Sequence, residues 1–275
     1  MTFVYHATTA ARVNRYGDVI QAECSLLDNR NETFAWIAAD VFSLKVLQAG
    51  WALYRSNNRK TGIFDLPDLI GVEAYLNSGP ALKNVLGGPG QEMERELISE
   101  CFRSILQAET FFYRERGFDS AQKYITYWDH IYAGLCRYYN RSTENDTEWP
   151  AWLANAQRGY NLFNRNKSIT IQALQDQLIV TCSFIDSFHH LHLEIRLDPG
   201  GKIAGVRGNF LDAPGDICYE NTEHLHKLVG CHLPSLGKKE IAAMVAGPDG
   251  CTHLLEMISD AVQATAGFLQ DQHNG

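Results

Sequence analysis

The feature that most constrains this chain is a long-range echo within it. Residues 19–28 and 178–186 alternate apolar and polar positions as half-buried strands do. Both carry the pattern Cys-Ser-apolar-apolar-Asp, as Cys24-Ser25-Leu26-Leu27-Asp28 and as Cys182-Ser183-Phe184-Ile185-Asp186. The cysteines lie 182 − 24 = 158 positions apart, and Asp40 and Asp198, which close the next strand pattern, keep that spacing. Leu66-Pro67-Asp68-Leu69-Ile70-Gly71 then meets Leu225-His226-Lys227-Leu228-Val229-Gly230, with glycines 230 − 71 = 159 apart, and Gly88-Pro89 meets Gly247-Pro248 at the same distance. Helical stretches at 100–108 and 256–264 follow at 256 − 100 = 156. Landmarks in one order at nearly one spacing predict a duplicated domain, because solenoid repeats run only about 20–50 residues. A chain of 275 residues is long enough for two cores of roughly 100–150 residues each.

Each copy reads as a β-meander followed by helices. The expected fold class is therefore α+β, a tandem duplication with a helical, aromatic-rich middle segment. Residues 1–110 are the first copy, 111–165 a helical connector and linker, and 166–275 the second copy. In the second copy Asp198-Pro199-Gly200-Gly201 is a strong turn between strands. Residues 223–229, 238–246 and 252–269 carry helical spacing, with Gly230 and Gly247 as C-terminal stops. The connector holds Tyr113, Tyr124, Tyr127, Trp128, Tyr132, Tyr138 and Tyr139 at largely helical spacing, which suits a core or a domain interface as well as substrate contact. The polar run Asn140-Arg141-Ser142-Thr143-Glu144-Asn145-Asp146-Thr147 breaks that pattern as a linker.

Composition narrows function by exclusion. A net charge of −8 argues against nucleic acid as a partner, since phosphate binding needs a basic face that releases counterions. The one basic cluster, residues 55–60, is short and reads as a solvated loop. No run approaches the roughly 18–20 apolar residues of a membrane span, and Met1-Thr2-Phe3-Val4-Tyr5-His6 lacks the pattern of a signal peptide. The sequence reads as cytoplasmic, with no membrane partner. Seven scattered cysteines, an odd count, are expected to be thiols or ligands rather than a disulfide framework. Dinucleotide, phosphate-loop, zincin and serine-hydrolase motifs are missing from the sequence.

Chemistry is expected in the second copy. In His189-His190-Leu191-His192-Leu193-Glu194-Ile195-Arg196-Leu197 the alternation sends Leu191, Leu193, Ile195 and Leu197 to the core, and His190, His192, Glu194 and Arg196 to the other face. His189 differs in parity and stands at the strand's mouth. Gly250-Cys251-Thr252-His253-Leu254-Leu255-Glu256 reads as a turn feeding a helix N-terminus, whose exposed N–H groups favour a thiolate over a thiol. His253 and Glu256 share one face of that helix, and Cys218 opens another after Pro214-Gly215-Asp216-Ile217. Thiolate and imidazole donors suit zinc, iron or an iron–sulfur cluster. The expected site brings His189, Cys218, Cys251 and His253 together as metal ligands, with Glu256 as an orienting or proton-accepting catalytic group. Buried, inert cysteines are the alternative. Cys24 and Cys182 are expected to be such packing residues.

On the motif Gly250-Cys251-Thr252-His253-Leu254 followed by Glu256, with His189 at a strand start and Cys218 at a helix start, residues 169–268 resemble a bacterial family of domains of unknown function, numbered 2889. That resemblance implies no activity. More distantly, the order strand, turn, strand, Cys, helices, and Cys at a final helix start resembles the IscU-type iron–sulfur scaffold fold. Its alignment places Ser187 and His189 where that fold has a Cys and an Asp, and Cys218 and Cys251 on its other two cysteines, implying a mixed-ligand site. In the first copy the spacings put Asn31, Arg59, Arg95 and Leu97 opposite His189, Cys218, Cys251 and His253, which reads as an emptied site. The functional expectation is a metal-binding protein, a metalloenzyme acting through iron or zinc on a small, aromatic-type molecule. The alternatives are a metal-free thiol enzyme using Cys251 and His253, an iron–sulfur cluster carrier, and a non-catalytic interaction protein. A homodimer is among the admissible assemblies.

Overall fold

Where the sequence alternates at period two, the chain forms strands. The computed structural model describes residues 2–141 and 153–274. Its strands are β1 (Thr2–Tyr16), β2 (Val19–Asp28), β3 (Glu32–Asp40), β4 (Val46–Arg55), β5 (Gly62–Asp65), β6 (Asn161–Leu174), β7 (Gln177–Asp186), β8 (His190–Leu197) and β9 (Ile203–Asp212). The helices are α1 (Ser78–Leu86), α2 (Glu92–Ala108), α3 (Ala121–Ile131), α4 (Arg137–Asn140), α5 (Lys238–Val245) and α6 (Thr252–Asn274), joined by 3-10 turns at Pro67–Leu69, Glu109–Phe111, Asp216–Leu228 and Leu233–Ser235. The fold is α+β, and its strands form a nine-stranded sheet in the order β5-β4-β3-β2-β1-β6-β7-β8-β9. Among the described residues no helix is long and apolar enough to cross a membrane.

The chain divides into two compact units, one of Thr8–Tyr124 with Pro150–Asn166, the other of Met1–Ala7, Ile125–Trp149 and Lys167–Gly275. In the first, β2 to β5 run as an antiparallel meander with Cys24 opposite Ala35. Ala35, Ile37 and Ala39 point to one face and are fully buried there, and α2 packs over β2 and β3. The buried carboxylate of Glu100 on that helix is balanced by Arg103 of α2 at 2.6 Å and by Arg165 of β6 at 3.0 Å.

The second unit follows the same logic. β7, β8 and β9 pair antiparallel, with Cys182 opposite Leu193. Leu191, Leu193, Ile195 and Leu197 are buried, as their parity predicts, in one apolar cluster with Leu254, Met257, Ile258 and Ala261 of α6. On the other face Glu194 holds Arg196 at 3.2 Å and Arg207 at 2.8 Å. Cys24 and Cys182 are both buried, as expected, and none of the seven cysteines is in a disulfide. Gly230 (φ 89°) and Gly247 (φ 83°) end their segments in the left-handed conformation that suits glycine.

Two local readings change. Residues 223–228 belong to a run of 3-10 turns, Asp216–Leu228, rather than an α-helix, and Val229 is its C-cap. From Cys218 onward its buried residues Cys218, Asn221, Leu225 and Leu228 are three or four apart, a spacing that fits either helix type. The second change is register. Leu97, Ile98, Cys101, Ile105 and Ala108 of α2 are buried, and so are Met257, Ile258, Ala261, Thr265 and Phe268 of α6. These sets coincide at 257 − 97 = 160, about one helical turn from the spacing of 156 read in the sequence. A helix face repeats every turn, so sequence pattern alone leaves such a slip open. The predicted linker lies, from Ser142 onward, outside the described residues.

Candidate metal centre

The site begins where β7 stops. Asp186 turns its Oδ1 back to accept the backbone N–H groups of Phe188 and His189, both at 2.8 Å, which closes a tight turn into β8. The same oxygen lies 3.1 Å from His189 Nδ1, so the turn also fixes the imidazole. Asp28 makes the equivalent turn after β2, accepting from the N–H groups of Arg30 at 2.7 Å and Asn31 at 2.6 Å. The aspartate is thus a turn residue in both places, and only Asp186 has a histidine three positions on. Both Asp186 and His189 are largely shielded, with side chains 1% and 13% exposed.

The opposite wall is set by the turn between α5 and α6. The Cys251 N–H donates to Val245 O at 2.7 Å, folding the chain back onto the end of α5. A side chain at position 250 would put its Cβ 2.4 Å from Val245 O and 2.6 Å from Ala246 Cα, so this close approach requires glycine. The Cys251 carbonyl then accepts from Leu255 N–H at 3.2 Å, and α6 starts at Thr252 with His253 in its first turn. The His253 ring lies 4.1 Å from that of His189 and 5.0 Å from that of Phe184, centroid to centroid. Asp186, His189 and His253 each offer one ligand atom, and the three atoms all lie within 4.8 Å of one another. Two imidazoles and a carboxylate converging from a turn and a helix start can hold one divalent ion and leave coordination positions open.

Cys251 is adjacent, its Sγ 3.9 Å from His253 Nδ1. Burial pushes its thiol up to about 12, although the N–H groups of Leu254 and His253 pull the other way. The helix start therefore does not make a thiolate here, because the cost of burying the charge exceeds what the N–H groups return. Cys218, buried in the same apolar cluster, is raised to about 12 chiefly by burial and also by Cys136. A metal ion would have to displace these protons to recruit either sulfur.

The residues expected at the site thus divide. His189 and His253 meet with Asp186, Cys251 touches His253, and Cys218 lies in the neighbouring apolar cluster outside that triad. Glu256 extends its Oε1 to Lys167 at 2.8 Å, and Asp260 meets the same ammonium at 3.0 Å. Two neighbours escaped sequence reasoning. Asp186 was legible only as part of the repeated strand, though Asp-x-x-His across a turn was the available signal. Cys136 sits in the connector and is carried to the site by Arg137, whose N–H donates to Gly250 O at 2.8 Å and whose Nε donates to Asp249 O at 3.2 Å. No curated protein and no solved structure matches the chain. Residues 172–266, which carry Asp186, His189, Cys218, Cys251 and His253, match the family model described as a protein of unknown function (DUF2889).

Proposed function

We propose that Asp186, His189 and His253 hold one transition-metal ion, iron or zinc, and that the chain is a metalloenzyme acting on a small molecule at the open coordination positions. The observation that carries this reading is the approach of the three ligand atoms to within 4.8 Å of one another. Donors about 2.1 Å from a common ion stand roughly 3–3.5 Å apart, so the group closes onto an ion with side-chain shifts of about an ångström. The hydrogen bond that His189 Nδ1 donates to Asp186 Oδ1 also orients the imidazole, as carboxylates commonly do for histidines at metal sites. A metal-free thiol mechanism is less well supported, because burial raises the Cys251 thiol to about 12 and so disfavours the thiolate. Seven cysteines outside disulfides accord with a cytoplasmic setting.

The tandem duplication belongs to the same proposal. Both units run strands then helices, both turn on an aspartate after the second strand, and their long helices share a burial register. In that register Gln91 and Met93 correspond to Cys251 and His253, and at the strand spacing of 189 − 31 = 158 Asn31 corresponds to His189, so the ligand set belongs to one copy. An IscU-like relationship rests on Cys218 and Cys251 each standing at the start of a helical segment.

Anaerobic titration with cobalt(II) tests the site. One saturable set of visible absorption bands is expected, lost in His189→Ala and His253→Ala, and an ultraviolet thiolate band lost in Cys251→Ser would add sulfur to the ligand set. A chain that shows no saturable cobalt spectrum does not have this site.

A further inference from the structure

The aromatic segment that packs through Tyr138 on the apolar cluster of the second unit is a continuous file of rings. Centroid separations are 5.4 Å from Tyr127 to Trp128, 4.7 Å from Trp128 to Tyr132, 5.0 Å from Tyr132 to Tyr139, and 5.1 Å from Tyr139 to Tyr138. At its inner end Tyr138 packs on the apolar cluster that contains Cys218 and Cys251, and Cys251 Sγ is 3.9 Å from His253 Nδ1. Trp128 is buried, while Tyr127 and Tyr132 are partly exposed. Packing alone would be met by phenylalanine, which has the same ring and no polar tip to satisfy. Every member of this file is instead a tyrosine or tryptophan, the ring types that give up an electron most readily.

We propose that Tyr138, Tyr139, Tyr132, Trp128 and Tyr127 form a relay that carries one-electron oxidising equivalents out of the candidate metal centre. The proposal rests on the metal reading above. The oxidant is a hydroperoxide acting on iron(II): its O–O bond would break with two electrons from the ion and two protons from solvent, leaving an alcohol and water. Tyr138 would then return one of those electrons and become a neutral radical as its phenolic proton passes to water. Single electrons then pass inward from Tyr139, Tyr132, Trp128 and Tyr127 in turn. Each ring recovers its electron and proton as the next one loses them. A small thiol in solution ends the sequence by giving Tyr127 one hydrogen atom, and two such thiyl radicals combine as a disulfide. The device would protect the buried site when oxidant arrives without substrate.

Two arms of one experiment test it on the full chain. In the first, metal-free protein is irradiated with a dissolved ruthenium polypyridyl complex and a cobalt(III) electron acceptor, and spin-trap adducts are located by mass spectrometry. Adducts are expected on Tyr138 and Tyr139, falling several-fold in Tyr132→Phe while those on Tyr127 persist. In the second, iron(II)-loaded protein is mixed with hydrogen peroxide and frozen for electron paramagnetic resonance. A tyrosyl signal is expected that falls several-fold in Tyr138→Phe and is unchanged in Tyr219→Phe, a substitution outside the file. Both relay variants keep the ring, so packing survives. Adducts on Tyr138 and Tyr139 that ignore Tyr132→Phe, or a signal that ignores Tyr138→Phe, overturn the relay. A chain that binds neither iron nor zinc defeats the metal reading, whereas one that binds zinc but not iron keeps that reading and overturns the relay.

Discussion

Gly250→Ala perturbs the turn that carries Cys251 and His253 to the site. The added methyl would stand 2.4 Å from Val245 O and 2.6 Å from both Ala246 Cα and Ala246 O, all backbone atoms that cannot rotate away. Relieving such an overlap costs about 1–3 kcal/mol. Movement of the turn also weakens the 2.7 Å hydrogen bond from Cys251 N–H to Val245 O, worth about 1 kcal/mol. The total is about 2–4 kcal/mol of stability. Gly79→Ala is the matched control, since a Cβ there meets nothing within 4 Å in the first turn of α1, and replacing a helical glycine gains at most about 1 kcal/mol. The assay is urea unfolding of each full-length variant, followed by circular dichroism, with the midpoint compared at unchanged slope. Cobalt(II) binding measured on the same samples should weaken in Gly250→Ala and persist in Gly79→Ala. If Gly250→Ala is within about 0.5 kcal/mol of the parent, an ordinary surface effect, the argument from crowding at this turn is wrong.

Three further outcomes are expected. Lys167→Met should destabilise by about 2–3 kcal/mol, at the low end for a broken buried pair because its partners Glu256 and Asp260 are 18% and 20% exposed; a change near zero in urea unfolding would contradict this. Native thiol labelling followed by mass spectrometry should modify the part-exposed Cys231 first and spare buried Cys24, Cys101 and Cys182, whereas early modification of any of these three would place it wrongly. The Cys218 and Cys251 thiols are raised to about 12, so the stability they contribute is complete below the ordinary thiol value of 9.0 and is lost as pH rises through about 12. The metal-free Cys218→Ala/Cys251→Ala double variant should therefore lose less of its own neutral-pH stability between pH 9.0 and 12 than the parent, and equal losses would count against burial as the cause.

Strands were the legible part of this fold. Val19–Asp28 and His190–Leu197 alternate so regularly that parity alone separates Leu193 and Ile195, which are buried, from His192 and Glu194 on the other face. Helix register was less legible, because buried positions recur every turn and a shift of four residues still matches apolar with apolar. At the site, His189, Cys251 and His253 stood out by residue type, and the glycine before Cys251 announced the turn. Asp186 did not stand out, because an aspartate at a strand end is normally a turn residue, and here it is that as well as a neighbour of two imidazoles. The thiolate expectation for Cys251 weighed the helix start without the burial, and burial is a tertiary quantity. Cys136 is separated from Cys251 by more than a hundred positions, and nothing local in the connector marks the Arg137 contacts that bring it close.

The central claim is that Asp186, His189 and His253 bind a metal ion, and elemental analysis of the full chain purified without oxygen tests it most directly. Iron or zinc is predicted in stoichiometric amount in the parent and is predicted to be lost in His189→Ala and His253→Ala. It should also be lost in Asp186→Asn, where the amide oxygen still closes the turn but the charge is gone, while Cys231→Ala keeps its metal. A parent free of stoichiometric metal, or metal that survives all three ligand substitutions, would contradict the account.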